Sequence, residues 1–538
     1  MGRLRAVVPL ALSGFLVIGT TLTLVPASAT SGGNETRAAE TFRDDPTVLT
    51  TPQLIDRAAD RGRISRARGN LLLAFAFARP DRLPPEYRSD ALAEGTILLL
   101  RLHRVATRST PIARRIAEMI GAGTRAGNRR AQTTPGCSSS TTPLPSTITT
   151  PHFLISYDPS RIGAGLTLQD YVAALESAWA TEIDSFGWAA PPPGTGGGRY
   201  HVRLVRLKGF YGYVSPSGTH AGLVGDNPST SWDDVDAYAS CMVLNANLFG
   251  VSTRPREALD ATAAHELNHA IQFGYGALIG PDRPDDVFVE GGATWIEDEV
   301  VDAADDNHQY LWPSFYDAMG TYADSPYGYW VVFRALTEPY GAGVVGGGED
   351  VLQRFWQSIG KRNAENLDAL RAGVGAEGHS LGEAFHASAI RLRVLRTCGA
   401  LAYAPPVCLE EAGAYMAAAG KPPLHGKVTQ VGESYRGGVK DDFGLNWVGI
   451  PTGSIYRVRL ANTAGGGQLR ISLVCDDGTS ASVRPASEVL GPGQATSIPD
   501  FDARACASAW AVVTNQKQNG PNPSTSATRT YAVATSQS

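Results

Sequence analysis

Residues 264–270 read Ala-His-Glu-Leu-Asn-His-Ala, and this short run constrains the fold more than any other part of the chain. Side chains four apart lie one above the other on an α-helix. His265 and His269 therefore present two imidazoles to one point only if the stretch is helical. Glu257 to Ala263, just before it, suits a helix, and no proline interrupts the run before Phe273. A helix from Arg256 to Phe273 is expected. Two imidazoles at this spacing suit one Zn2+ ion, which takes imidazole nitrogen at about 2.0–2.1 Å. Glu266, beside the first histidine, puts a carboxylate within reach of a water on that metal, as a general base requires. With ten histidines in the chain, a chance match is on the order of one in a hundred, so context decides.

A catalytic zinc usually takes three protein ligands and a water. Downstream runs Phe288-Val289-Glu290-Gly291-Gly292-Ala293-Thr294-Trp295-Ile296-Glu297, with Gly280, Pro281 and Pro284 in between. Two antiparallel helices, the second from Val287 to Val301, would bring Glu290 back to the metal. Glu297, on the same helical face, is a rival ligand. Thr294 is a candidate for orienting a ligand from behind. The acidic run Glu297, Asp298, Glu299, Asp302, Asp305 and Asp306 reads as a solvated surface. It lacks the loop spacing of a Ca2+ site, so calcium is left without support. Tyr327 and Tyr329 are candidate donors to a developing oxyanion, with aromatic core packing as the plainer reading.

The stretch from Val289 to Glu297 resembles the Asn-Glu-Gly-Phe-Ala-Ser-Tyr segment of the aminopeptidase branch of the gluzincins, metallopeptidases that hold zinc with two His and one Glu. The resemblance implies that Glu290 is the third ligand, preferred over Glu297 on the flanking Gly-Gly-Ala match. It also implies a thermolysin-like catalytic core. More closely, the chain resembles a group of secreted bacterial metallopeptidases with a helical N-terminal part and a β-rich tail. No Gly-Ala-Met-Glu-Asn stretch precedes the helix, so a holder for a substrate's free amino terminus is missing. Tyr275 stands where a metzincin would need its third histidine.

A chain of 538 residues exceeds one hydrophobic core and suggests two to four domains. The start, with Arg3 and Arg5, an apolar run from Ala6 to Val25 and then Ala27-Ser28-Ala29, reads as a signal peptide cleaved after Ala29. An uncleaved anchor is the alternative, weakened by Pro9, Ser13 and Gly14. Export makes the six cysteines three disulfides; proximity favours Cys398–Cys408 and Cys475–Cys506, which leaves Cys137–Cys241. A formal charge of -5 argues against a nucleic-acid or anionic-membrane partner.

The expected fold class is multidomain α+β. Residues 30–135 form a helical N-terminal region, either a propeptide over the cleft or a permanent helical cap. A linker covers 136–150 and the catalytic domain 151–424. A β-sandwich covers 425–538, with clear strands at 456–460, 469–474 and 510–514. Within the catalytic domain, strands are expected at 152–157, 200–205 and 238–244, with a helix from Thr167 to Phe186. The segment from Tyr238 to Asn245 is expected to be the sheet edge that pairs with extended substrate. The expected activity is that of a secreted zinc metallopeptidase, an endopeptidase acting on peptide or protein. A non-catalytic cell-envelope binding protein and a zinc amidase are the alternatives.

Overall fold

Thr50 and Gln53 cap each other's backbone groups at the start of α1 (Thr51–Asp60), and Ser65 accepts from Arg68 N at the start of α2 (Arg66–Ala78). With α3 (Thr96–Ala106) and α4 (Pro111–Ile120) they close on a small core that includes Ile55, Leu72, Leu99, Leu102 and Ile116. This computed structural model describes residues 49–120 and 144–538, apart from 164, 194–197, 217–222, 235, 249–253, 277, 279–283, 312–325, 342–348, 363, 464, 486–488 and 520–526. The expected signal peptide and most of the expected linker lie outside the described residues.

Next come β1 (Ser146–Thr149), β2 (Phe153–Tyr157), α5 (Leu168–Trp179), β3 (Tyr200–Val205), β4 (Gly212–Pro216), β5 (Leu223–Gly225), β6 (Ala237–Tyr238) and β7 (Ser240–Asn245). The main sheet runs β1-β2-β3-β7-β4, with β2, β3 and β7 parallel and the two outer strands antiparallel. Two expectations are corrected here. Residues 146–149, read as linker, pair with β2. The segment read as the sheet edge is interior, because β7 is hydrogen-bonded on both sides and β4 forms the edge instead. The physical sign is that every residue of β7 is buried, the texture of a central strand rather than of an edge.

Helices follow: α6 (Pro255–Gly274), α7 (Asp286–Val300), α8 (Trp330–Thr337), α9 (Glu349–Gly360), α10 (Asn366–Ala376), α11 (Leu381–Val394) and α12 (Ala412–Ala419). Residues 261–275 are all buried, so α6 runs through the core, packed against the sheet, α5 and α7. The acidic run is not a solvated surface at its start. Asp298 and the Glu299 side chain are buried against Arg334, and Asn307 donates to Asp298.

The tail carries β8 (Gly426–Lys427), β9 (Ser434–Lys440), β10 (Gly444–Gly449), β11 (Ile455–Asn462), β12 (Leu469–Asp476), β13 (Ala481–Pro485), β14 (Ala495–Asp502), β15 (Ser508–Asn515) and β16 (Thr528–Gln537). One sheet runs β13-β12-β15-β10-β8 and the other β14-β11-β16-β9. Tyr456, Val458, Leu460, Ile471, Leu473, Val513 and Val533 fill the space between them, as a sandwich requires. The first sheet also buries its outer face against α11. His386 sits between Thr514 and Ser472, and Trp447 Nε1 donates to Ala389 O. Residues Thr41–Ser538 accordingly form one unit. Cys398–Cys408 and Cys475–Cys506 are bonded as expected. Cys241 is also in a disulfide, and its expected partner Cys137 lies outside the described residues. Among the described residues no helix is long and apolar enough to cross a membrane.

Candidate metal centre

α6 and α7 pack antiparallel, so the two stretches singled out in the sequence meet. Nε2 of His265 lies 3.2 Å from Glu290 Oε2, and Nε2 of His269 lies 3.3 Å from the same oxygen. His265, His269 and Glu290 each offer one donor atom, all within 4.8 Å of one another. With Glu266, these three side chains are 0% exposed.

The far side of each imidazole is committed elsewhere. His265 Nδ1 is 2.5 Å from Glu297 Oε1, a carboxylate that can only accept, so Nδ1 carries the proton. His269 Nδ1 is 2.9 Å from Gln272 Oε1. The Gln272 amide orientation follows from its other bonds, since Nε2 donates to Asn268 Oδ1 and to Val289 O. Asn268 in turn donates to Glu182, carried on a π-helical turn, Ala180–Ser185, that continues α5. Both Nε2 atoms therefore face the point where Glu290 arrives, as in a metal site whose ligands are oriented from behind. Glu297, weighed as a rival ligand, has this orienting place instead. Thr294, weighed for orientation, has a buried hydroxyl with no hydrogen-bond partner.

The charges are one-sided. Burial alone would raise the Glu290 carboxyl, yet the His269 and His265 imidazoles outweigh it and hold it down to about 2. Burial disfavours a charged His265, but Glu94, Glu290 and Glu297 together push its pKa well above the usual value. Burial raises Glu297 and Glu266, the latter against the pull of the two imidazoles. Glu94 is raised well above its ordinary range by burial, with His265 opposing and neighbouring Glu266 and Glu297 adding to the rise. His269 Nε2 and Glu290 Oε1 are buried without a hydrogen-bond partner. Orphaned nitrogen and oxygen atoms of this kind, converging amid excess carboxylate, fit a divalent cation taking nitrogen and oxygen ligands.

Glu266 is adjacent, held by a residue that sequence reasoning missed. Thr96 Oγ1 donates to Glu266 Oε2 at 2.9 Å. A Cβ on Gly212 would come within 3.1 Å of Glu266 Oε1, so a glycine there gives this carboxylate its room. Of the two tyrosines weighed for an oxyanion, Tyr327 lies beside the site, its ring centroid 6.3 Å from that of His265. Tyr329 is core, packed against Gly291. Tyr310, stacked on Tyr327 at 4.9 Å, is a further phenol near the carboxylates of the site that the sequence did not single out. Gln272, three residues after His269, was legible in principle by helical spacing. Glu94 and Thr96 had no local pattern to mark them.

No family model matches this chain, and no curated protein matches it. Among solved structures, it is similar to the pre-peptidase C-terminal domain of a collagenase from Bacillus anthracis, with 12% identity over 21% of this chain and 96% of that one, at a TM-score of 0.15. A likeness at that score carries no argument about activity.

Proposed function

We propose that this chain is a secreted zinc-dependent metallopeptidase of the gluzincin kind, cutting within peptide chains. The observation that carries the reading is the convergence of His265 Nε2, His269 Nε2 and Glu290 Oε2, with both Nδ1 atoms turned to Glu297 and Gln272. Two imidazoles and one carboxylate are the ligand set of a catalytic zinc that keeps a fourth position open. When bound, zinc supplies a Lewis acid that polarises a carbonyl and lowers the pKa of a water to about 7.

The chain's own groups do the rest. Glu266 takes a proton from the attacking water and hands it to the departing amine, from a carboxylate whose place is set by Thr96 and Gly212. Tyr327, beside His265, donates to the oxygen on which charge develops. The paired cysteines suit an oxidising compartment, in keeping with the basic and apolar N-terminal run.

The test is incubation of zinc-loaded full-length protein with a diverse peptide mixture, followed by mass spectrometry. Internal cuts support the proposal and terminal trimming points to an exopeptidase. Peptides left intact by a protein holding one zinc would sink the peptidase reading and leave an amidase or a binding protein.

A further inference from the structure

The N-terminal helical region reaches the centre of the site. Residues 93–95 lie along the approach to the edge strand β4. Ala93 N donates to Gly209 O, Tyr211 N to Ala93 O, and Gly95 N to Gly212 O. Gly95 allows the contact, since a Cβ there would come within 2.9 Å of Gly212 O and of the Tyr213 Cβ. The next residue, Thr96, opens α3 and is fully buried. Its hydroxyl has one proton and two lone pairs. Val214 N donates to Oγ1 at 2.8 Å, and the hydroxyl's own proton goes to Glu266 Oε2. One hydroxyl thus ties three elements together: α3, the sheet edge and α6.

The geometry points to Thr96 as a positioning residue for Glu266, and so to the N-terminal region as a resident part of the catalytic centre rather than a cover to be shed. Without the region, the Glu266 oxygen would lose its donor and Val214 N its acceptor, both buried, and unmade bonds of that kind are costly. The apolar contacts agree. Leu92, Ile97 and Leu100 belong to the same core as Val214, Ala263 and Leu267. Phe77 stacks on Phe210 at 4.3 Å and meets Tyr213 edge-on. Shedding the region would bare this aromatic row.

The inference rests on Glu266 being the base, so the experiment separates the two. Full-length Thr96→Val, Thr96→Ala, Thr96→Ser and Glu266→Leu are compared with the parent for zinc content, for kcat and KM on a cleaved peptide, and for the unfolding midpoint without metal. Thr96→Val keeps its zinc and KM and loses about tenfold to a hundredfold in kcat, the scale of a misplaced catalytic group. Thr96→Ser returns to within a few-fold of the parent. Thr96→Ala removes the same hydroxyl with a smaller side chain and supplies the comparison should the valine variant not fold. Thr96→Val and Glu266→Leu shift the midpoint non-additively, because they remove the same bond. Unchanged or raised kcat in the valine and alanine variants, as for a removable cover, overturns the proposal; so do additive midpoint shifts. A parent that holds zinc and cleaves nothing overturns the peptidase reading instead, and additivity then decides the Thr96 bond alone.

Discussion

Two regions of this molecule bury charge, and they treat it in opposite ways. In the sandwich, Asp441 is fully buried with every need met. Arg529 grips both its oxygens, while Asn515 and Asn519 donate to them. Burial would raise that carboxyl, and these partners bring it below the ordinary range instead. At the α6–α7 crossing, His269 Nε2, Glu290 Oε1, Glu297 Oε2 and Thr294 Oγ1 are buried with no hydrogen-bond partner. Among the described residues of the sandwich, Arg470 Nε is the one such side-chain atom. Buried polar groups in a finished core are satisfied, because each orphan costs roughly 1–3 kcal/mol. The sandwich is complete as it stands, whereas the helix crossing is built for something added to it.

The sharpest way to break this contrast is at Glu266. Glu266→Gln is expected to cut kcat by about a hundredfold to ten-thousandfold while elemental analysis still finds one zinc per chain; a variant that keeps its rate removes Glu266 from its role. Next in size is Asp441→Ala, which leaves Arg529 unpaired. It should destabilise the fold by about 3 kcal/mol in denaturant unfolding, with zinc affinity untouched. A loss of zinc in that variant would show that the two regions are not independent.

A smaller effect is expected from the groups behind the imidazoles. Glu297→Gln and Gln272→Ala should each weaken zinc binding by about tenfold to a hundredfold in a chelator competition. Were Glu297 a ligand rather than an orienting group, its loss would abolish binding. The smallest effect concerns acid. Glu290 is held down to about 2 in the metal-free fold, against about 4.3 in an unfolded chain. Its stabilisation is complete above the unfolded value and disappears as pH falls through the folded one. The gap in unfolding midpoint between metal-free parent and Glu290→Gln should therefore narrow steadily below about pH 4. A gap that stays constant down to pH 2 would contradict the ionised, imidazole-held carboxylate.

Local periodicity carried most of what was legible in the chain. The helix expected from Arg256 to Phe273 is observed as Pro255–Gly274, and the strand at 200–205 is observed as Tyr200–Val205. The two closest cysteine spacings foretold the two described disulfides. A sandwich at the C-terminal end followed from regularly spaced strands. Where the reading failed, the information was not local. The order of strands in the sheet depends on which segment wins each hydrogen-bonding edge, so β7 became interior and β4 the edge. The burial of Asp298 and Glu299 depends on Arg334, 35 residues after Glu299.

The sequence by itself pointed to a shared helix for His265, Glu266 and His269, because the run from Glu257 to Phe273 suits a helix and helical geometry then puts the two imidazoles on one face. It also brought Glu290 forward as the third donor. Only the tertiary structure decided that Glu297 stands behind His265 and Gln272 behind His269. It alone brought Thr96 to a carboxylate 170 positions further along the chain. The physical reason is that a ligand's spacing is written in one helix. The proton placement that makes it a ligand depends on partners from other elements, and packing alone brings those together.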